Sequence, residues 1–118
     1  MINELTQQTP PTPLTFTQSG LLETHDLYER DRSRITITTV APNHTAETAC
    51  HIHASKQITV LDGYAEVELP SNRIKLYEGQ STHIPNGIAH KIMNFGKIPL
   101  KYVEIRTGAY VQDDDLLS

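Results

Sequence analysis

From Arg34 onward, short runs of β-branched and apolar residues recur at regular intervals, with turn residues between them. Arg34 to Val40 is the densest run, with Ile35, Thr36, Ile37, Thr38, Thr39 and Val40 in succession, a composition that pleated strands favour. Ala41-Pro42-Asn43 ends it as a turn. The pattern predicts further strands over Glu47 to His53, Gln57 to Leu61, Tyr64 to Leu69, Arg73 to Tyr77, Ser81 to Ile84, Ala89 to Phe95 and Lys101 to Arg106. Asp62-Gly63 is a tight hairpin signal. Pro70-Ser71-Asn72, Glu78-Gly79 and Pro85-Asn86-Gly87 mark the other turns. No stretch sustains a helical period. About eight short strands at regular spacing predict an all-β sandwich or small barrel.

The flanks are less regular. Residues 1–19 are rich in Thr, Gln and Pro, and Pro10, Pro11 and Pro13 exclude a helix or a central strand there. Leu14 and Phe16 alternate with Thr15 and Thr17, so this arm is either flexible or a swapped edge strand. Leu21 to Arg32 mixes charges without a clear period and is assigned a strand and a turn. Asp113-Asp114-Asp115-Leu116-Leu117-Ser118 reads as a solvated end. The rest, residues 20–118, fits one domain, long enough to bury a core without staples.

Composition narrows the function. The net charge of −4 argues against a nucleic-acid or anionic-membrane partner. No apolar run approaches the length of a membrane span, and the N-terminus lacks the layout of a signal peptide. The single cysteine, Cys50, precludes an intrachain disulfide, and a reducing cytoplasmic setting is the expectation.

The histidines change the picture. In an extended strand His51 and His53 share a face, with Cys50 and Ile52 turned away. Two convergent imidazoles suit a divalent metal, although the same spacing also occurs as two surface histidines. Gln57 offers a neutral oxygen to the same point and His90 a third imidazole. Around His90, Gly79 and Gly87 permit turns closed to other residues, and Pro85 fixes the backbone before the next strand. His90, Ile92 and Asn94 share one face, and Lys91 takes the other. Three imidazoles and one weak oxygen leave coordination positions open, as a catalytic metal site requires. An amide cancels none of the ion's charge, so the site would be electrophilic toward an anionic or hydroxyl-bearing ligand.

Two blocks carry a resemblance: His51-x-His53-x3-Gln57-x5-Gly63, and Gly79-x5-Pro85-x-Gly87-x2-His90-x3-Asn94. The sequence resembles the cupin superfamily, departing once, where Gln57 replaces the usual acidic ligand. The resemblance implies a double-stranded β-helix, or jelly roll, holding one divalent ion (Zn, Mn, Ni, Co or Fe) by His51, His53, Gln57 and His90. More narrowly, Gly79 to His90 and the ending Glu104-Ile105-Arg106-Thr107-Gly108-Ala109-Tyr110 look like the C-terminal cupin domain of type II mannose-6-phosphate isomerases. That likeness implies aldose–ketose isomerisation of a phosphorylated hexose. The chain departs from this family at Thr45, Ile52, Ala54, Lys56 and Gln57, where Arg, His, Arg, Glu and His are usual, and it has no Trp for the family's Pro-Trp-Gly segment.

Isomerisation needs a base at the carbon that loses its proton and an electrophile on the adjacent oxygens. The metal would be the electrophile. Glu47 and Glu104 are the candidate bases, although Glu47 lies roughly 13 Å from His51 along a regular strand. Arg34, His83, Lys91 and Arg106 are the candidate substrate-binding residues. Tyr64 and Tyr102 either line the cavity or pack the core, Cys50 reads as a small packing residue, and His25 and His44 read as exposed. Three alternatives stay open: another sugar or uronate opened on the same site, an oxygen-using iron enzyme such as a thiol dioxygenase, and a non-catalytic metal- or sugar-binding cupin. A jelly-roll edge and the Pro-rich arm also predict a homodimer.

Overall fold

The computed structural model describes residues 21–48 and 52–112, the side chains of positions 47 and 48 apart. The Pro-rich arm, Cys50, His51, the Glu47 side chain and the acidic tail therefore lie outside the described residues. The elements run β1 (Leu22–Arg30), β2 (Ser33–Val40), β3 (His44–Thr48), β4 (Ala54–Asp62), β5 (Ala65–Glu68), β6 (Arg73–Leu76), β7 (Ser81–Ile84), β8 (His90–Asn94) and β9 (Leu100–Gly108). They form a five-stranded sheet in the order β1-β2-β9-β4-β7 and a four-stranded sheet in the order β3-β8-β5-β6. All the pairings are antiparallel. This is the double-stranded β-helix that the two blocks predict. No helix among the described residues is long and apolar enough to cross a membrane.

Period-two alternation builds the interior. In β2, Arg34, Thr36, Thr38 and Val40 are buried while the residues between them are half-buried. β9 buries Leu100, Tyr102, Glu104 and Arg106, and β4 buries Ala54, Lys56, Ile58 and Val60. Ile92 of β8, Ala65 and Val67 of β5, Ala46 of β3, Leu76 and Ile84 complete one apolar cluster with the aliphatic members of these strands. Asn94 latches the rim of this core. Its Nδ2 donates to the carbonyls of Val40 and Ile98, each at 3.0 Å, and its Oδ1 accepts from Gly96 N–H at 2.9 Å. A side chain buried to 1% exposure thus meets the polar demand of three backbone groups around it.

Two expectations are corrected. Leu21 to Arg32 is mostly one strand, β1, paired along β2 from Leu22↔Val40 to Arg30↔Ser33. A bulge between Asp26 and Tyr28 inserts Leu27 and flips the alternation, so no single period spans the segment. The predicted strand from Glu47 to His53 does not exist as one element. β3 ends at Thr48 in the small sheet, Ile52 and His53 form a bend, and β4 starts at Ala54 in the large sheet. A chain that crosses between two sheets cannot stay paired in either.

The bend is held tightly. Asn86 Nδ2 donates to the Ile52 carbonyl at 3.0 Å, and Ala109 N–H donates to the His53 carbonyl at 2.9 Å. Gly108 faces that carbonyl so closely that a Cβ there would overlap the His53 oxygen and crowd Ala54 Cα. Gly79 differs: its φ is +84°, but a Cβ would meet nothing. We therefore expect Gly79→Ala to cost about 1–2 kcal/mol, the left-handed backbone term alone. Gly108→Ala should cost about 3 kcal/mol or more, because backbone must move. Urea denaturation of the two variants checks this ranking, and equal losses would contradict it.

Candidate functional site

The register across β2, β9 and β4 grades the interior from charged to apolar. Arg34 lies opposite Arg106, which lies opposite Lys56. The next inward row is Thr36, Glu104 and Ile58, and the one after is Thr38, Tyr102 and Val60. Val40 and Leu100 close the series. Three cations thus stand side by side on neighbouring strands, an arrangement that is unfavourable without counter-charge.

Two carboxylates supply it. Asp26 takes Arg34 in a fork, Arg34 Nε donating to Oδ1 at 3.1 Å and Nη2 to Oδ2 at 3.0 Å. Glu104 Oε2 accepts from Arg106 Nε at 3.2 Å and Nη2 at 2.8 Å, and Arg106 Nη1 reaches the Val111 carbonyl at 2.9 Å. The other oxygen, Glu104 Oε1, lies 3.7 Å from Lys56 Nζ. All five side chains are buried, Lys56 to 3% exposure. Among them are three positive and two negative charges, so this set carries an excess of one positive charge.

His90 faces this set from the small sheet. Its Nδ1 lies 3.1 Å from the Ile88 carbonyl, which can only accept, so Nδ1 carries the proton. Nε2 is then the lone-pair nitrogen, and Lys56 Nζ stands 3.4 Å from it as the donor. Burial first, and then the Lys56 charge, pull the His90 pKa down to about 4; the Ile88 bond and Glu104 oppose this, and Arg106 adds to it. The ring is neutral at physiological pH. Tyr102, at the centre of the core, has its hydroxyl pKa pushed up by burial and by Glu104, against its hydrogen bond to Thr38.

The sequence candidates separate on this geometry. Glu104, Arg34 and Arg106 converge inside, and His90, Ile92 and Asn94 share the interior face as expected. Lys91 and His83 are exposed. Gln57, expected among the metal ligands, is exposed on the outer face of β4, and Lys56 takes the inward position. Gln57 is expected to open a strand after His53; β4 instead starts at Ala54, and its phase turns Lys56 inward and Gln57 outward. His53 itself is exposed on that bend. Glu47 pairs with Lys91 along the backbone. Tyr64 does not line the interior with Tyr102; it stacks on exposed Tyr77, with ring centroids 5.6 Å apart. His25 is half-buried on β1, 3.8 Å from a Glu23 oxygen, and His44 is exposed, its Nδ1 2.8 Å from the Pro42 carbonyl.

A divalent ion does not fit the described residues. No three His, Cys, Asp or Glu side chains among them converge. Among the described residues the buried imidazole is His90, whose Nε2 already accepts from Lys56, and an ammonium beside it repels a cation. Lys56 is the residue that sequence reasoning underrated. Its only signal was that it stands where the similar family has Glu.

Comparison with known proteins agrees with the fold. The family described as mannose-6-phosphate isomerase C-terminal matches residues 20–118. The xanthan biosynthesis protein XanB of Xanthomonas campestris pv. campestris is 36% identical over 86 residues, covering 73% of this chain and 18% of that protein. A mannose-1-phosphate guanylyltransferase of Escherichia coli is 34% identical over 87 residues, covering 74% and 18%. The chain therefore spans about a fifth of the length of these curated relatives. Among solved structures, a double-stranded β-helix protein of Klebsiella pneumoniae superposes with TM-score 0.73 at 21% identity, covering 81% of this chain and 84% of that one. A cupin domain of an XRE-family transcriptional regulator from Enterobacter cloacae gives 0.69 at 17%, covering 73% and 95%. A cupin sugar phosphate isomerase from Silicibacter pomeroyi gives 0.66 at 13%, covering 73% and 59%. At these identities the structures bear on the fold alone.

The His90 environment predicts a pH dependence. A histidine whose folded pKa is depressed leaves stability intact above its unfolded value near 6.5. Stability is then lost as pH falls toward 4, because the unfolded chain binds the proton first. The loss should be on the order of 3 kcal/mol between pH 6.5 and 4. The charges facing the ring are Lys56, Glu104 and Arg106. Urea denaturation across that range should show a shallower decline for His90→Gln than for the parent; parallel curves would refute the assignment.

Proposed function

Because the chain belongs to the mannose-6-phosphate isomerase C-terminal family of cupins, we propose that it binds a sugar phosphate at the charged end of its barrel. One observation carries this reading: the row Arg34–Arg106–Lys56, three buried cations against two carboxylates. A buried excess of positive charge favours an anionic group, and guanidinium forks suit phosphate oxygens. The relatives point the same way, since one of them is a mannose-1-phosphate guanylyltransferase. The single planar carboxylate of a uronate would meet the same row less fully.

Aldose–ketose isomerisation is the second reading, and the contact between Glu104 and Lys56 favours it. A carboxylate and an ammonium 3.7 Å apart could take the proton from one carbon and polarise the neighbouring oxygen. Against it, both oxygens of Glu104 are already engaged by cations, one in the Arg106 fork and the other facing Lys56. Binding without turnover is thus the conclusion that the geometry supports better.

The two readings part in one pair of measurements. Millimolar mannose 6-phosphate or fructose 6-phosphate should raise the melting temperature by about 2–5 °C, and unphosphorylated mannose by less. Absence of a shift with every phosphorylated sugar tried would defeat the proposal. Conversion of mannose 6-phosphate to fructose 6-phosphate, followed by a coupled assay, would establish the second reading over the first.

We also propose a homodimer in a cytoplasmic setting. β1 and β7 are the outer strands of the large sheet, and β3 and β6 those of the small one, each with an unpaired edge among the described strands. Sedimentation at micromolar concentration should give twice the 13.2 kDa of one chain; a single-chain mass at high concentration would rule the dimer out.

A further inference from the structure

We infer that the Lys56 ammonium takes the place of a divalent ion in this barrel, so that the interior holds a charge covalently attached to the chain and binds no resident metal. The inference goes beyond the sugar-phosphate reading and does not depend on it.

The argument starts from lone pairs. A metal-binding imidazole must offer one nitrogen free, and the other is commonly fixed by a hydrogen bond to a carbonyl. His90 has that second feature, with Nδ1 bound to Ile88 O at 3.1 Å. Its Nε2 is therefore oriented inward, as a ligand would be. The group it meets is Lys56 Nζ, at 3.4 Å. A protonated amine has three donors and no lone pair, so it uses the imidazole as acceptor and offers a metal nothing.

Charge closes the second route. An acidic side chain at this point would offset part of an ion's charge; Lys56 adds to it instead, and Arg106 lies on the same row. Among the described residues Glu104 is the carboxylate that reaches Lys56, and its other oxygen is held by Arg106 at 2.8 Å. To recruit Glu104, an ion would have to displace both cations. Burial adds to the cost, since Lys56, Glu104 and His90 are all nearly inaccessible and an unpaired charge there is expensive. Gln57 supplies no alternative, because it faces outward. An ammonium pinned between an imidazole nitrogen and a carboxylate does electrostatically what a bound ion does. It presents positive charge to a ligand oxygen from a fixed point.

The test is metal stoichiometry. The parent protein, incubated in turn with zinc, manganese, nickel and cobalt and then desalted, should retain less than about 0.1 ion per chain by elemental analysis. Lys56→Glu should retain about one, and Lys56→Glu/His90→Ala should lose it again. Circular dichroism and a cooperative melt establish that the variants are folded. If Lys56→Glu does not fold, Lys56→Gln serves: nickel titrated by calorimetry should bind at least about tenfold more tightly than to the parent. A parent protein that holds one ion per chain, lost in His90→Ala, would overturn the inference. So would a folded Lys56→Glu, or failing that a folded Lys56→Gln, with no gain. A sugar phosphate that stabilises the parent only when metal is present would also sink this inference, yet leave the proposed ligand class standing.

Discussion

Glu104 is the group on which the interior depends. Its two oxygens face Arg106 and Lys56, and through Lys56 they connect to His90 on the opposite sheet. Beside the Asn94 bond to the Val40 carbonyl, much of the contact between the two sheets is apolar, which is strong but indifferent to direction. The Glu104 network adds direction: it ties the inward charges of β4 and β9 to the lone-pair nitrogen of His90, whose tautomer the Ile88 carbonyl sets. It also makes the row of three cations tolerable, since truncating one member of a buried ionic set leaves the others uncompensated, typically at about 3–5 kcal/mol. Replacing a whole buried ionic set with well-packed aliphatic residues is often neutral or stabilising. Stability alone therefore does not account for five buried charges at one end of a small barrel, whereas a ligand with complementary charge would.

Much of the architecture was legible from residue pattern. Runs such as Arg34 to Val40 and Lys101 to Arg106 alternate cleanly, and both are strands. The face shared by His90, Ile92 and Asn94 followed from period two alone, because β8 is short, regular and unbulged. The two blocks carry the superfamily resemblance because turn glycines and prolines at fixed offsets constrain where strands begin and end. Gly79 and Gly87, both at positive φ, fill that role.

The failures have two physical sources. Alternation is a local rule, and it breaks wherever a residue is inserted or the chain changes sheet. The Leu27 bulge hid β1, and the bend at Ile52 and His53 reset the phase before β4. The block spacing selects Gln57; the strand that forms turns Lys56 inward. The second source is chemical bias. Lysine is rarely buried, so Lys56 is passed over, while Glu104 and Arg106, two residues apart on one strand face, stand among the candidates. Only its partners reveal why Lys56 is inside, and those come from β8 and β9, which no local window around Lys56 contains.

The graded rows set how deep charge can sit in the barrel. The first tier holds guanidinium and ammonium, the second a hydroxyl, a carboxylate and an aliphatic chain, and the third only Thr38, the Tyr102 ring and Val60. Each step down strips away solvation and offers less in return. Charge is thereby confined to one end of the interior, and an ionic side chain introduced at the third tier would meet no counter-charge on its own row.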